Sequence, residues 1–271
     1  MAVRSPIINV MEKACRKAAR GLIRDFGEVE QLQVSKKGPA DFVSNADLRA
    51  ERILKDELGR ARPTFGFLME ESGESGSAAG SATIEGRWIV DPLDGTLNFL
   101  HGVPHFCISV GLERQGEIVA GMILQPVTDE MFWAEKGAGA FVNGRRLRVS
   151  SRHVMAESMF ATGIPFKGRG DHATFLKELS GVMAVSAGVR RFGAAALDLA
   201  YVAAGRFDGF WEARLNAWDI AAGLLLVREA GGFVSDLEGG QGMLASGDVV
   251  AATDKLHPQL LQVLRDARGQ A

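Results

Sequence analysis

The stretch WIVDPLDGTLNF, residues 88–99, sets two aspartates three positions apart, directly after an apolar run and directly before a glycine and a threonine. On a strand, acids at i and i+2 share a face. Asp91 and Asp94 stand at i and i+3 with Pro92 between them, so the chain must turn after residue 90 for both carboxylates to converge. Turns at strand ends are where sheet proteins commonly carry their sites. Gly95 permits a close backbone approach by a ligand or by the next helix. Thr96 is expected to open that helix, offering a hydroxyl and free N–H groups to an anion. Taken alone, the same residues also fit a plain Asp-Gly turn.

Two further segments weigh against the plain turn. Glu70 and Glu71 sit at the exit of the apolar run TFGFLM (64–69), and Asp219 opens a helix behind Trp218. Three separate segments therefore each place a carboxylate at an element boundary, and convergence is the economical reading. Several carboxylates brought together repel one another and hold raised pKa values unless cations bind them. A set of oxygen donors without a His or Cys cluster favours Mg2+ or Mn2+, usually with waters and substrate phosphate completing the shell. A two-metal phosphate ester hydrolase follows as the expectation.

The rest of the chain frames this reading. With 271 residues, 46% of them hydrophobic and 24% charged, the chain can bury a sizeable core as one large domain or two packed lobes. A net charge of −2 and an isoelectric point near 6.2 advertise neither a polyanion nor a membrane surface as partner. Cys15 and Cys107 lie in apolar surroundings without metal-ligand spacing, as small buried hydrophobes in a reducing compartment. No signal peptide pattern or membrane-length apolar run is read, so a soluble cytoplasmic protein is expected.

Along the chain, Ser5 and Pro6 cap a helix whose apolar positions recur from Ile7 to Phe26 and which ends at Gly27; a second helix begins near 45–47 and runs past Leu58. Residues 64–69 read as a strand, and the glycine- and serine-rich 72–86 as a mobile surface loop. From Phe106 to Val149 short strands separated by turns predict an antiparallel sheet. Beyond Ser150 the pattern alternates, with helices closed by Gly205 and by Gly231 and strands at 208–212 and 232–236. The expected organisation is a single domain over 1–271 with lobes 1–150 and 151–271.

Taken together, MEES (69–72), WIVDPLDGTLNF (88–99), and WDIAAG with EAGG (218–232) resemble the inositol monophosphatase family over nearly the whole chain; Lys36 and Asp47 match its opening Lys and Asp positions. Leu97 stands where the branch acting on 3′-phosphoadenosine 5′-phosphate carries a lysine. The resemblance implies an α/β (α+β) fold, the layered α/β/α/β/α sandwich of the inositol monophosphatase and fructose-1,6-bisphosphatase type. It implies Glu70, Asp91, Asp94 and Asp219 as side-chain ligands of two or three Mg2+ ions, with the Leu93 carbonyl completing one site. Thr96 and Asp47 would position the attacking water and Glu70 would help deprotonate it. The amides of Gly95 and Thr96 would hold phosphate; Gly193, Ala194, Ala195, Glu212 and Asp219 would line the substrate wall, with Glu212 accepting substrate hydroxyls. Lithium sensitivity, a homodimer and a small phosphate ester substrate follow from the same kinship. The bacterial branch also includes members with a role in transcription-complex assembly.

Two departures bear on substrate preference: Met69 replaces the usual glycine, and Ala194 stands where Ser or Thr is common, removing a donor and acceptor. Myo-inositol monophosphates are the expected substrates, with fructose 1,6-bisphosphate and histidinol phosphate as alternatives within the superfamily. An aspartyl-phosphate phosphatase would place its two acids two apart rather than three. A binding protein without catalysis would be favoured by a replaced metal ligand, and none is replaced. The basic run 144–152 reads as a solvated strand edge before it reads as a nucleic-acid contact. The five histidines stand without partners at ligand spacing.

Overall fold

The computed structural model describes residues 4–28, 34–38, 41–77, 80, 84–165 and 170–269, and of 34–38 and 41–43 the backbone. Ser5 accepts the Ile8 N–H and Pro6 takes the first helical position, so α1 (Pro6–Phe26) begins where predicted and stops at Gly27. The hairpin of β1 (Val34–Gly38) and β2 (Asp41–Ser44) leads into α2 (Asn45–Ala61) through a capping box of Ser44 and Asp47. The Lys36 side chain lies outside the described residues.

One eight-stranded sheet follows, from β3 (Gly66–Met69), β4 (Gly73–Ser75) and β5 (Arg87–Asp94), then α3 (Thr96–Leu100), then β6 (Cys107–Arg114), β7 (Glu117–Gln125), β8 (Glu130–Glu135), β9 (Gly139–Val142) and β10 (Arg145–Arg146). Its order is β10-β9-β8-β7-β6-β5-β3-β4, antiparallel except for the β3–β5 pair. Two expectations shift here. The chain does not leave the sheet after residue 90; β5 continues to Asp94, with a bulge between Asp91 and Asp94 against β6. Part of the expected loop at 72–86 is β4, paired along the sheet edge, while 78, 79 and 81–83 lie outside the described residues. Arg145 and Arg146 are exposed on the opposite edge, as a solvated strand edge requires.

The second half supplies β11 (Met159–Thr162), α4 (His172–Val185), β12 (Gly188–Arg190), α5 (Ala195–Ala203), β13 (Gly209–Glu212), α6 (Ala217–Glu229), β14 (Phe233–Ser235), α7 (Met243–Ser246), β15 (Val249–Ala252) and α8 (Leu256–Arg268). Its strands form a five-stranded sheet in the order β12-β11-β13-β15-β14.

Strand alternation divides the core into three slabs. Trp88, Val90, Ile108, Val110, Met122 and Leu124 face α1 and α2, while Ile89, Cys107, Ile123 and Phe132 face α5 and α6. Phe160, Trp211 and Val250 face α4 and α8. The layers therefore run α1/α2, sheet, α5/α6, sheet, α4/α8, the five-layer sandwich that the family resemblance implied. Both cysteines are buried and free, as read from the sequence. No helix among the described residues is long and apolar enough to cross a membrane.

One contact brings the two halves together at the site. Gly111 and Gly121 are register partners on β6 and β7, and α6 lies directly on them. A Cβ at Gly121 would stand 2.9 Å from the Ala222 carbonyl oxygen and 3.0 Å from its Cα. Two residues along β6, Ser109 donates to the Trp218 carbonyl at 3.3 Å, which pins the first turn of α6 beside the exit of β5.

Candidate active site

The site is assembled from element ends. Asp91 and Asp94 flank the bulge of β5, in register with Ser109 and Cys107 of β6. The bulge does what a turn was expected to do, bringing acids at i and i+3 to one side. Glu70 follows β3, where its N–H donates to the Val90 carbonyl and so sets it beside Asp91. Asp219 stands at the third position of the first turn of α6, three residues past the cap Asn216, and is held there by accepting the Asn216 N–H at 2.7 Å. These four carboxylates line a cleft of about 220 Å³ with the Leu93, Gly95 and Thr96 segment, Gly193, Ala194, Ala195 and Glu212. A larger cavity of about 380 Å³ adjoins it across Gly163 and Glu212 but contains none of the four; the carboxylates gather in the smaller cleft.

Asp47 reaches the cleft from α2 through Thr96. One carboxylate oxygen of Asp47 accepts the Ser44 N–H at 2.9 Å and hydroxyl at 2.5 Å, and the other accepts the Thr96 hydroxyl at 3.0 Å. The Leu93 carbonyl also lies 3.0 Å from that hydroxyl. Gly95 precedes α3 with φ 92°, a left-handed conformation, and a Cβ there would press on the His105 carbonyl at 3.0 Å.

Charge is the dominant feature. Burial, and then the charges of Glu70, Asp94 and Asp219, hold the Asp91 carboxyl well above the usual range, and it shares a hydrogen bond with Glu70. Burial and the charge of Asp219 do the same to Asp94, against the opposing effect of the Ala196 N–H that its Oδ2 accepts at 2.8 Å. Among the described residues lining the cleft, the only cationic side chain is Arg191. So dense a set of oxygen donors is suited to hard divalent cations, which would relieve the repulsion. Among the described residues no three His, Cys, Asp or Glu side chains form a ready-made metal cage. The donor set fits by charge and chemistry, with the Leu93 carbonyl and waters left to complete any shell.

Every site residue expected from the sequence and described here lines this cleft or, for Asp47, bonds to a residue that does. Other residues came only from the structure. Glu51, nearly buried on α2, accepts the Glu71 N–H at 2.9 Å and so braces the segment carrying Glu70. Its spacing of four from Asp47 on one helix face was the available signal. Asn98 on α3 donates to the His105 and Phe192 carbonyls, both at 2.8 Å, tying the segment after Asp94 to the chain before Gly193, 94 positions away. Asp198 is buried, and burial followed by the charges of Glu212 and Asp94 holds its carboxyl well above the usual range. None of the five histidines lines the cleft.

Comparison with known proteins finds relatives along nearly the whole chain. The sequence profile of the inositol monophosphatase family matches residues 3–268. The chain is 58% identical to an inositol-1-monophosphatase of Mesorhizobium japonicum over 97% of both chains. It is 41% identical to the Nus factor SuhB of Pseudomonas aeruginosa over 96% of both. The crystal structure of the extragenic suppressor protein suhB from Bartonella henselae superposes with a TM-score of 0.92 at 55% identity, covering 96% of this chain and 99% of that one.

Proposed function

The chain belongs to the inositol monophosphatase family, a family of metal-dependent phosphatases, and from that premise we propose that it releases phosphate from myo-inositol monophosphates with Mg2+ as cofactor. The observation that carries the proposal is the convergence of Glu70, Asp91, Asp94 and Asp219, from three segments, on one cleft beside the Thr96–Asp47 pair. Those four carboxylates and the Leu93 carbonyl would hold two or three ions. When bound, divalent cations supply Lewis acidity and screen charge on the attacking and leaving oxygens.

The chain's own groups do the positioning. Asp47, oriented by Ser44, accepts the hydrogen bond of the Thr96 hydroxyl and leaves that oxygen's lone pairs to accept a hydrogen bond from the attacking water; Glu70 takes the one proton that this water gives up as it attacks. The amides of Gly95 and Thr96 hold phosphate, and Glu212 accepts substrate hydroxyls against the wall of Gly193, Ala194 and Ala195. The test is a phosphate-release panel over inositol 1-phosphate, fructose 1,6-bisphosphate and histidinol phosphate. Inositol 1-phosphate should be hydrolysed fastest, with EDTA abolishing release, Mg2+ restoring it and millimolar lithium inhibiting it. Full activity in a metal-free sample would overturn the reading, and faster turnover of another ester would move the substrate. A homodimer in a reducing cytoplasm completes the proposal. The relatives named Nus factor SuhB suggest transcription-complex assembly as a second role, to be tested by pull-down of transcription elongation factors.

A further inference from the structure

The parallel strands β11 and β13 end side by side, with Ala161 opposite Phe210 and Thr162 opposite Trp211. The buried Thr162 hydroxyl lies 2.8 Å from the Trp211 carbonyl and 3.1 Å from that of Gly163, tying the two ends together. The next residue on each strand is therefore Gly163 on one and Glu212 on the other. Both line the cleft, and both also line the larger cavity beside it. The Glu212 carboxylate rests directly on the Gly163 backbone: a Cβ built on Gly163 would overlap its carboxyl carbon and both oxygens. No other neighbour is as close to that position, and Gly163 does not adopt the left-handed backbone that only glycine tolerates well.

We propose that Gly163 is a specificity-determining position: by carrying no side chain it lets the Glu212 carboxylate lie across the boundary between cleft and cavity, aimed at the hydroxyls of a polyol phosphate. This rests on the reading of Glu212 as the residue that meets substrate hydroxyls. The displaced atoms are the far end of a flexible side chain. A methyl group at 163 therefore re-aims Glu212 without disturbing a core, and its effect falls on substrate choice rather than on the fold.

The experiment compares Gly163→Ala, Glu212→Gln and the double variant, each with inositol 1-phosphate and with 4-nitrophenyl phosphate, which offers no ring hydroxyls. Losing one charge-assisted hydrogen bond to a substrate hydroxyl corresponds to roughly a tenfold to hundredfold change in kcat/KM. Gly163→Ala should lower the ratio of the two kcat/KM values by about tenfold or more, with its melting temperature within about 2 °C of the parent. The double variant should be no less selective than the more impaired single one, because both changes remove the same contact. Equal losses on both substrates, additive losses in the double variant, or a collapse of thermal stability would each overturn the proposal, the last by making Gly163 a packing requirement. If Glu212→Gln fails to change the ratio, the reading of Glu212 falls and this inference with it. If Glu212→Gln changes the ratio and Gly163→Ala does not, only the role of Gly163 falls.

Discussion

Thr96 has one hydroxyl proton and two acceptors within 3.0 Å, Asp47 and the Leu93 carbonyl. The proton is thus committed inward and the lone pairs face the cleft. Thr96→Ala should lower kcat more than it raises KM, as expected of a group whose contact strengthens in the transition state; steady-state kinetics with inositol 1-phosphate checks this, and a pure KM effect would remove the role. Asp94→Asn keeps the shape of the side chain, and its amide oxygen can still accept the Ala196 N–H. It should therefore retain the fold, read by circular dichroism, while turnover falls by roughly two to three orders of magnitude, about 3–4 kcal/mol of barrier. Asp91, Asp94 and Thr96 were legible because they share six residues of sequence. The Asp47–Thr96 bond spans 49 positions and could be anticipated only by family resemblance.

Helix α6 owes its closeness to the sheet to two glycines. In Gly121→Ala the new methyl meets backbone atoms of Ala222, which cannot swing aside as a side chain can. The helix must shift, at about 1–3 kcal/mol as in other overpacked cores, lowering the urea midpoint. Because Asp219 rides on the first turn of α6, the same variant should bind Mg2+ more weakly by calorimetry; unchanged affinity would show that the site does not depend on this contact. At the other side of the sheet, Glu57 of α2 faces Lys17 at 2.7 Å and Lys13 at 3.0 Å, both on α1. Those hydrogen bonds and charges, Lys17 first, pull its carboxyl down to about 2 from 4.5. A carboxyl depressed in the folded state stabilises above its unfolded value and loses that contribution as pH falls from about 4.5 through about 2. Glu57→Gln should therefore melt below the parent at pH 7 and converge with it near pH 2, which a thermal scan against pH reads directly. Helices α1, α2 and α6 were legible from apolar spacing and end residues; the Gly111–Gly121 contact was not, because register between strands is not written in either strand alone.

At the scale of the whole molecule, the cluster of four carboxylates joins segments from residue 70 to residue 219. A cation that binds this arrangement, and not the unfolded chain, stabilises the fold by mass action, about 2.7 kcal/mol at a hundred times its Kd. Added Mg2+ should raise the melting temperature of the EDTA-treated protein, and Asp94→Asn should remove most of that rise; an equal rise in both would move the ion elsewhere. By itself the sequence determined the carboxylates at element boundaries, the buried thiols, the principal helices and most strands of the first sheet. Those features depend on neighbours a few positions away, through periodicity, caps and turn residues. Only the tertiary structure decided that β5 bulges instead of ending, that α6 sits on glycines, that Glu51 and Asn98 brace the site, and that Glu212 rests on Gly163. Each of these depends on contacts between residues far apart in sequence, formed only when the layers pack, so no local pattern could carry them.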